Sequence, residues 1–315
     1  MLEWLLLPPV LILGAAFIPN NKLGNWDYHK KHLYYHSWLV PIGKVRKIMY
    51  HNFEHYPHML VGGTTRFGKT VFLKSLFASL ILANPDRARI IMLDLKGGLE
   101  FWKYKDLPQV QAVATDLLEA CKALDHVYKL IKIEEQRFRK NNWTNISDTP
   151  IKERTFIIVD EGAELSPKLV SKENKKYAEL AQIYLGEIAR IGGGLGFRLI
   201  LGTQYPSTMA VSQQIKMNMV ARISFRIADQ VGSRVILDEV GAEDLEPLPG
   251  RAIYKLAQKH EIQCPYIDDK MIGRFLYEQN RNDTNVDRQA RSSKRKTDTR
   301  HHDDGHVQKY LPGDK

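Results

Sequence analysis

Short apolar runs alternate with longer amphipathic stretches from about Pro41 to Asp268. That rhythm predicts strands joined by helices, an α/β fold around a mostly parallel sheet with helices on its faces. The strand candidates are His58 to Val61, Arg89 to Leu93, Thr155 to Val159, Phe197 to Leu201 and Ala221 to Ile227. A helix is expected after the first, where Val71, Phe72, Leu76, Leu80 and Leu82 fall close to helical spacing. Another opens at Asp116, which forms a capping-box pattern with Glu119, and Leu117, Cys121, Leu124, Tyr128 and Ile131 mark its apolar face. A third covers about Asn174 to Ile191 and stops at Gly192-Gly193-Gly194, and Gly250 to Pro265 alternates like a terminal hairpin.

Both ends of the chain break this rhythm. Met1 to Ile18 holds one charge, Glu3, and as a helix it would cover about 27 Å of a bilayer core of roughly 30 Å. Lys22, Lys30 and Lys31 follow it, so the positive-inside rule puts the rest of the chain in the cytoplasm, and Trp26, Tyr28, Tyr34, Tyr35 and Trp38 are expected as interfacial aromatics. The rival for this segment is an interfacial or partner-binding stretch, which Pro8-Pro9 favours; a signal peptide lacks its positive leading region. From Arg281 onward the chain is polar and is expected to be disordered. Three regions result: a membrane-anchor and juxtamembrane segment at 1–40, a main domain at 41–280 and a basic tail at 281–315.

Of the 315 residues, 43% are hydrophobic and 26% charged, enough for a full core. The net charge of +10 favours a polyanionic partner such as DNA, RNA or an anionic membrane face. Two distant cysteines, Cys121 and Cys264, exclude a disulfide framework and a CxxC zinc site.

The chemistry enters with Gly63, Thr64, Thr65, Arg66, Phe67, Gly68, Lys69 and Thr70, which fit GxxxxGK[ST], the phosphate-binding P-loop, between a strand and a helix candidate. The glycines let backbone N–H groups converge on a β-phosphate, Lys69 neutralises phosphate charge and the Thr70 hydroxyl can hold Mg²⁺. About ninety residues on, Phe156-Ile157-Ile158-Val159-Asp160-Glu161 reads as a Walker B strand. Asp160 would complete the Mg²⁺ shell and Glu161 would act as the base on water, its rival role being a solvated turn residue. Gln204, at the tip of the Phe197 strand, is placed to sense the γ-phosphate unless it is an ordinary loop residue. Arg190, before the triple glycine, is either a cap on the helix dipole or an arginine finger for a neighbouring subunit.

Taken in order, these residues resemble the FtsK/SpoIIIE family of ring-shaped double-stranded-DNA translocases, within the FtsK/HerA superfamily. The resemblance covers about Pro41 to Tyr254. It rests on Tyr56 to Val61 leading into the P-loop, Leu93-Asp94-Leu95-Lys96, Val159-Asp160-Glu161, Ala189-Arg190, Gly202-Thr203-Gln204 and Ser233 to Asp238. It implies a RecA-like ATPase domain acting on DNA as a homohexamer, with Arg190 the leading finger, Arg234 the second and Gln204 a sensor. Asp94 and Lys96 match a family element near the nucleotide and the subunit interface. Arg66-Phe67 departs from the small residues of chromosome translocases, and Lys96-Gly97-Gly98-Leu99-Glu100-Phe101 looks more like members encoded by conjugative plasmids and integrative elements. No long multi-span membrane domain and no winged-helix module is expected.

The resulting expectation is a membrane-tethered, ATP- and Mg²⁺-dependent DNA motor. It would couple processed DNA, without strong sequence preference, to a relaxase or mating-channel protein during conjugation. The alternatives are a viral DNA-packaging ATPase, a secretion ATPase acting on protein and a DNA-binding adaptor. Lys103, Lys105 and Lys216 are nominated as phosphate contacts, against the ordinary reading of each as a solvated lysine.

Overall fold

The computed structural model describes residues 26–204, 206 and 212–279. Its centre is one ten-stranded sheet in the order β2-β1-β10-β9-β8-β3-β7-β6-β4-β5. Six neighbouring strands run parallel: β3 (Met59–Gly62), β4 (Ala88–Leu93), β5 (Val110–Ala114), β6 (Arg154–Val159), β7 (Phe197–Thr203) and β8 (Ala221–Phe225). The other four, β1 (Leu39–Lys44), β2 (Ile48–Asn52), β9 (Arg251–Lys255) and β10 (Lys259–Gln263), extend the sheet antiparallel beyond β8. The expected parallel core and the terminal hairpin are therefore present.

Central strands read as continuous apolar runs because both faces are covered. All seven residues of β7 are buried, between β3 and β6. On one face lies α1 (Lys69–Ala83), buried nearly all round. On the other pack α2 (Leu117–Asn141), α3 (Lys175–Ile191) and α5 (Gln230–Leu237), α4 being the short Gln213–Met217. The α2 start follows its sequence signature. Asp116 accepts the Glu119 N–H at 2.8 Å, while the Glu119 carboxylate accepts the Thr115 N–H at 2.8 Å.

Three strands were not foreseen. β1 contains Pro41 and Gly43, residues that argue against a strand, and its pairing with β2 shifts register between them. Gly43 has a packing reason, since a Cβ there would lie 2.6 Å from Ile262. β2 and β5 are short and only partly buried, so neither shows a clean apolar pattern.

The aromatic residues after the N-terminal segment need a correction. Tyr28 and Trp38 are core residues, not interfacial ones: the Tyr28 hydroxyl bonds Ser79 of α1 at 2.9 Å, and Trp38 packs on Phe156. Asp27 also bridges to Tyr266, so residues 26–40 belong to the same body as the sheet, and the division at 40 falls inside β1. Met1 to Ile18 and the region from Arg281 lie outside the described residues. Among the described residues no helix is long and apolar enough to cross a membrane.

Candidate functional site

Parallel register brings the ends of three strands to one level. Gly62 of β3 stands beside Thr203 of β7, and Val159 of β6 beside Leu201. The P-loop, the Asp160-Glu161 pair and Gln204 leave these strands at the same carboxyl edge, where open α/β sheets place ligands. Because β7 lies between β3 and β6, Gln204 is interposed between phosphate loop and carboxylates.

The loop turns through two left-handed residues, Arg66 at φ 73° and Gly68 at φ 107°. Gly68 is required twice over, since a Cβ there would meet the Gly250 nitrogen at 2.9 Å. The loop is tied down at both ends. Thr64 donates its N–H and hydroxyl to the Arg226 carbonyl at 3.1 and 3.0 Å, and Gly250 N–H donates to the Phe67 carbonyl at 2.9 Å.

Lys69, 3% exposed, donates to Asp160 Oδ1 at 2.6 Å and to the Asp160 carbonyl. In this state the ammonium is held on the carboxylate. The other oxygen, Asp160 Oδ2, is buried and has no hydrogen-bond partner among the described residues. Such an orphan is costly unless another group completes it. Thr70, in the first turn of α1, lines a cavity together with Lys69 and Gln204. An acidic oxygen of this kind plus one hydroxyl fits Mg²⁺, which takes few protein oxygens and fills its shell with water and phosphate. Among the described residues no cluster of three or more His, Cys, Asp or Glu could hold a metal.

Glu161 is fully buried and held from three directions. Thr203 Oγ1 donates to Oε1 at 2.7 Å, the Gln204 N–H reaches both carboxylate oxygens at 3.0 Å, and Lys96 Nζ lies 3.2 Å from Oε2. The close approach of β6 and β7 requires Gly202, whose Cβ would sit 2.8 Å from the Asp160 carbonyl oxygen. The Gln204 amide oxygen accepts from Thr65 Oγ1 at 3.1 Å, which links the β7 tip to the P-loop. Asp94 completes the acidic floor. Its Oδ2 accepts the Glu100 and Phe101 N–H groups and its Oδ1 has no partner among the described residues, while burial, with Asp160 nearby, lifts the carboxyl above its usual range.

Arg190 is elsewhere. α3 carries Arg190 back across the sheet to the turn at Gly193, which lies against Pro57 and His58 at the start of β3. Arg190 thus stands at the opposite edge of the sheet from its own P-loop, exposed and paired with Glu187 at 2.8 Å. Arg234 is exposed on α5, whose Ile236 packs against Gly62. Among the nominated lysines, Lys216 is corrected: it is buried, paired with Asp238 at 2.5 Å and bonded to the Arg234 carbonyl, so it is withdrawn from any phosphate backbone. Lys103 pairs with Asp269 at 2.6 Å, and Lys105 lies over the Trp102 ring at 4.4 Å. Sequence reasoning missed Thr203 as the partner of Glu161. A hydroxyl one residue before Gln204 was the available signal.

The chain resembles known proteins over most of its described length. The FtsK/SpoIIIE family model matches residues 26–264. The chain belongs to the FtsK/SpoIIIE family. It is 34% identical over 200 residues to the DNA translocase FtsK of Campylobacter jejuni strain 81-176, covering 60% of this chain and 20% of that one. It is 32% identical over 258 residues to the DNA translocase FtsK of Streptococcus agalactiae, covering 75% and 30%. The chain therefore spans less than a third of the length of these relatives. Among solved structures, the pCW3 conjugation coupling protein TcpA, in monomer form with ATPγS, is 26% identical with a TM-score of 0.73, covering 81% of this chain and 74% of that chain. The type VII secretion ATPase EccC of Thermomonospora curvata, at 23% identity and a TM-score of 0.63, shares the fold.

Proposed function

We propose that this protein is an ATP-driven DNA translocase, acting as a coupling protein in the conjugative transfer of a mobile element. The observation that carries the ATPase part is the convergence of Lys69, Asp160 with its free Oδ2, Glu161 and Gln204 at one sheet edge. The conjugative part is supported by the likeness to TcpA, which runs over most of both chains, whereas the likeness to FtsK covers a minor share of the longer protein.

In this reading, residues 63–70 cradle the phosphates, and Thr70 and Asp160 hold Mg²⁺, which when bound neutralises charge on the β- and γ-phosphates. Glu161 accepts a proton from the attacking water, Gln204 registers the γ-phosphate and Arg190 reaches the site of the next subunit in a homohexameric ring. The position of Arg190 at the far edge of its own subunit supports a trans role over a cis one. DNA passes without strong sequence preference because phosphate contacts carry no base information. The first residues, through Ile18, anchor the protein in the cell membrane with the motor in the cytoplasm, a relaxase or mating-channel protein being the partner. The tail from residue 281 is a basic appendage.

The test is ATPase rate with and without double-stranded DNA, together with displacement of a third strand from a triplex. Wild type should be stimulated severalfold and displace the strand; Lys69→Ala should fail to bind ATP. Glu161→Gln should bind but turn over about 10²- to 10⁴-fold more slowly. ATPase activity indifferent to DNA would overturn the translocase reading in favour of a protein-secretion role. Fractionation tests the anchor, and recovery of the full chain in the soluble fraction without detergent would refute it.

A further inference from the structure

From Tyr28 to Phe53 the chain holds five Lys or Arg and no Asp or Glu. The fold gathers these cations on one surface. Lys31 lies in the single helical turn Lys30–His32, while Lys44, Arg46 and Lys47 stand at the turn between β1 and β2, all four exposed. Partial burial, then the charges of Lys31, His29 and Lys44, hold the His32 imidazole below its usual range, which places the hairpin turn beside the helical one. Lys30 pairs with Glu278 at 2.5 Å, whereas Lys31, Lys44, Arg46 and Lys47 form no ion pair among the described residues. Like charges collected without counter-charges favour an anionic surface.

Aromatic side chains border the same hairpin. Tyr34 and Tyr35, both more than half exposed, follow the helical turn, and the Tyr34 ring packs against Tyr50 of β2 with 5.1 Å between ring centres. Duplex DNA asks only for the cations, whereas exposed tyrosines among lysines are the composition of a membrane–water interface, where the ring sits at headgroup depth. Position along the chain points the same way. Only the seven residues Pro19 to Asn25 separate the apolar run Met1 to Ile18 from Trp26, about 25 Å at full extension. We propose that the surface formed by Lys31, Lys44, Arg46 and Lys47 with Tyr34 and Tyr35 docks the domain on an anionic phospholipid membrane, the cations meeting headgroup phosphates and the tyrosines lying among the headgroups. The choice of a membrane as occupant rests on the anchor reading of Met1 to Ile18. Its consequence is that the sheet is held in one orientation to the bilayer rather than on a single tether.

The test places the full chain in nanodiscs of phosphatidylcholine alone or with about one-third phosphatidylglycerol. Backbone hydrogen exchange over residues 44–50 should slow roughly fivefold or more in the anionic discs at low salt, and high salt should erase the difference. Lys44→Gln, Arg46→Gln and Lys47→Gln together should abolish that protection, with a thermal melt like that of wild type showing the fold intact. Tyr35→Ser should reduce the protection and leave its salt dependence unchanged. Equal exchange in the two lipids, or protection by a short DNA duplex and not by the anionic discs, would overturn the docking surface. Flotation with phosphatidylcholine vesicles in high salt reports separately on the anchor, which fails if the chain is released. In that case phosphatidylglycerol vesicles decide the surface: at low salt they should bind the triple variant about 100-fold more weakly than wild type, and equal binding would overturn it.

Discussion

At the scale of single residues, Glu161 is held by Thr203, the Gln204 N–H and Lys96, which fix its direction in a place without solvent. A base acts only if it is aimed. Thr203 supplies the one hydroxyl among these contacts, so Thr203→Val removes an aiming contact while conserving shape. Turnover should fall about 10- to 100-fold, the range for groups that orient a functional side chain. ATP affinity should hold, because Thr203 faces Glu161 and not the phosphate loop. Single-turnover rates alongside nucleotide binding measure both, and unchanged turnover would mean that the Gln204 N–H and Lys96 suffice. Lys69 and Asp160 show a complementary economy: each neutralises the other's charge in a buried place.

At the scale of elements, the arrangement of strands decides who can reach whom. β7 between β3 and β6 brings Gln204 to Thr65 on one side and to Glu161 on the other, so the P-loop and the Glu161 carboxylate are joined through one residue. The direction of α3 has the opposite effect on Arg190, which it delivers to the far edge. If that arginine completes a neighbour's site, Arg190→Ala should bind ATP normally and lose hydrolysis about 10³-fold or more. Mixing it with Lys69→Ala should restore part of the activity, since a mixed ring pairs an intact pocket with an intact arginine. Activity of the mixture measured against both parents checks this, and no recovery in rings shown to be mixed would move the role to Arg234.

At the scale of the whole molecule, two histidines tie stability to pH. Burial holds His51 and His58 down at about 3, with Arg198 adding to the effect at His58. Both are used as neutral rings: His51 joins the Tyr254 hydroxyl and the Tyr56 carbonyl, and His58 Nδ1 accepts the Leu199 N–H. Since the folded values lie below the unfolded value near 6.5, the unfolded chain binds more protons in acid. Their contribution is complete above about pH 6.5 and is lost progressively as pH falls toward 3, each adding a slope of up to about 1.4 kcal/mol per pH unit. Denaturant melts at pH 7, 6 and 5 should show this decline, and His51→Gln should make it shallower; identical slopes in both proteins would contradict the account.

The local patterns were legible from sequence because they are short-range. The P-loop must curl within a few residues, a helix such as α2 is marked by its acceptor Asp116, and a central strand such as β7 is mostly apolar because both its faces are covered. Lys69, Asp160 and Glu161 could therefore be named from spacing, and Gln204 from its strand-tip position together with the family resemblance; the structure brings them together. What spacing could not reveal is anything set by strand order and long-range packing. The pairing of Thr203 and Lys96 with Glu161, the burial of Lys216, the antiparallel extension containing Pro41 and the seating of Trp26 beside Tyr266 all depend on partners far along the chain. A residue's type and neighbours state what it can do; only the assembled sheet states what it faces.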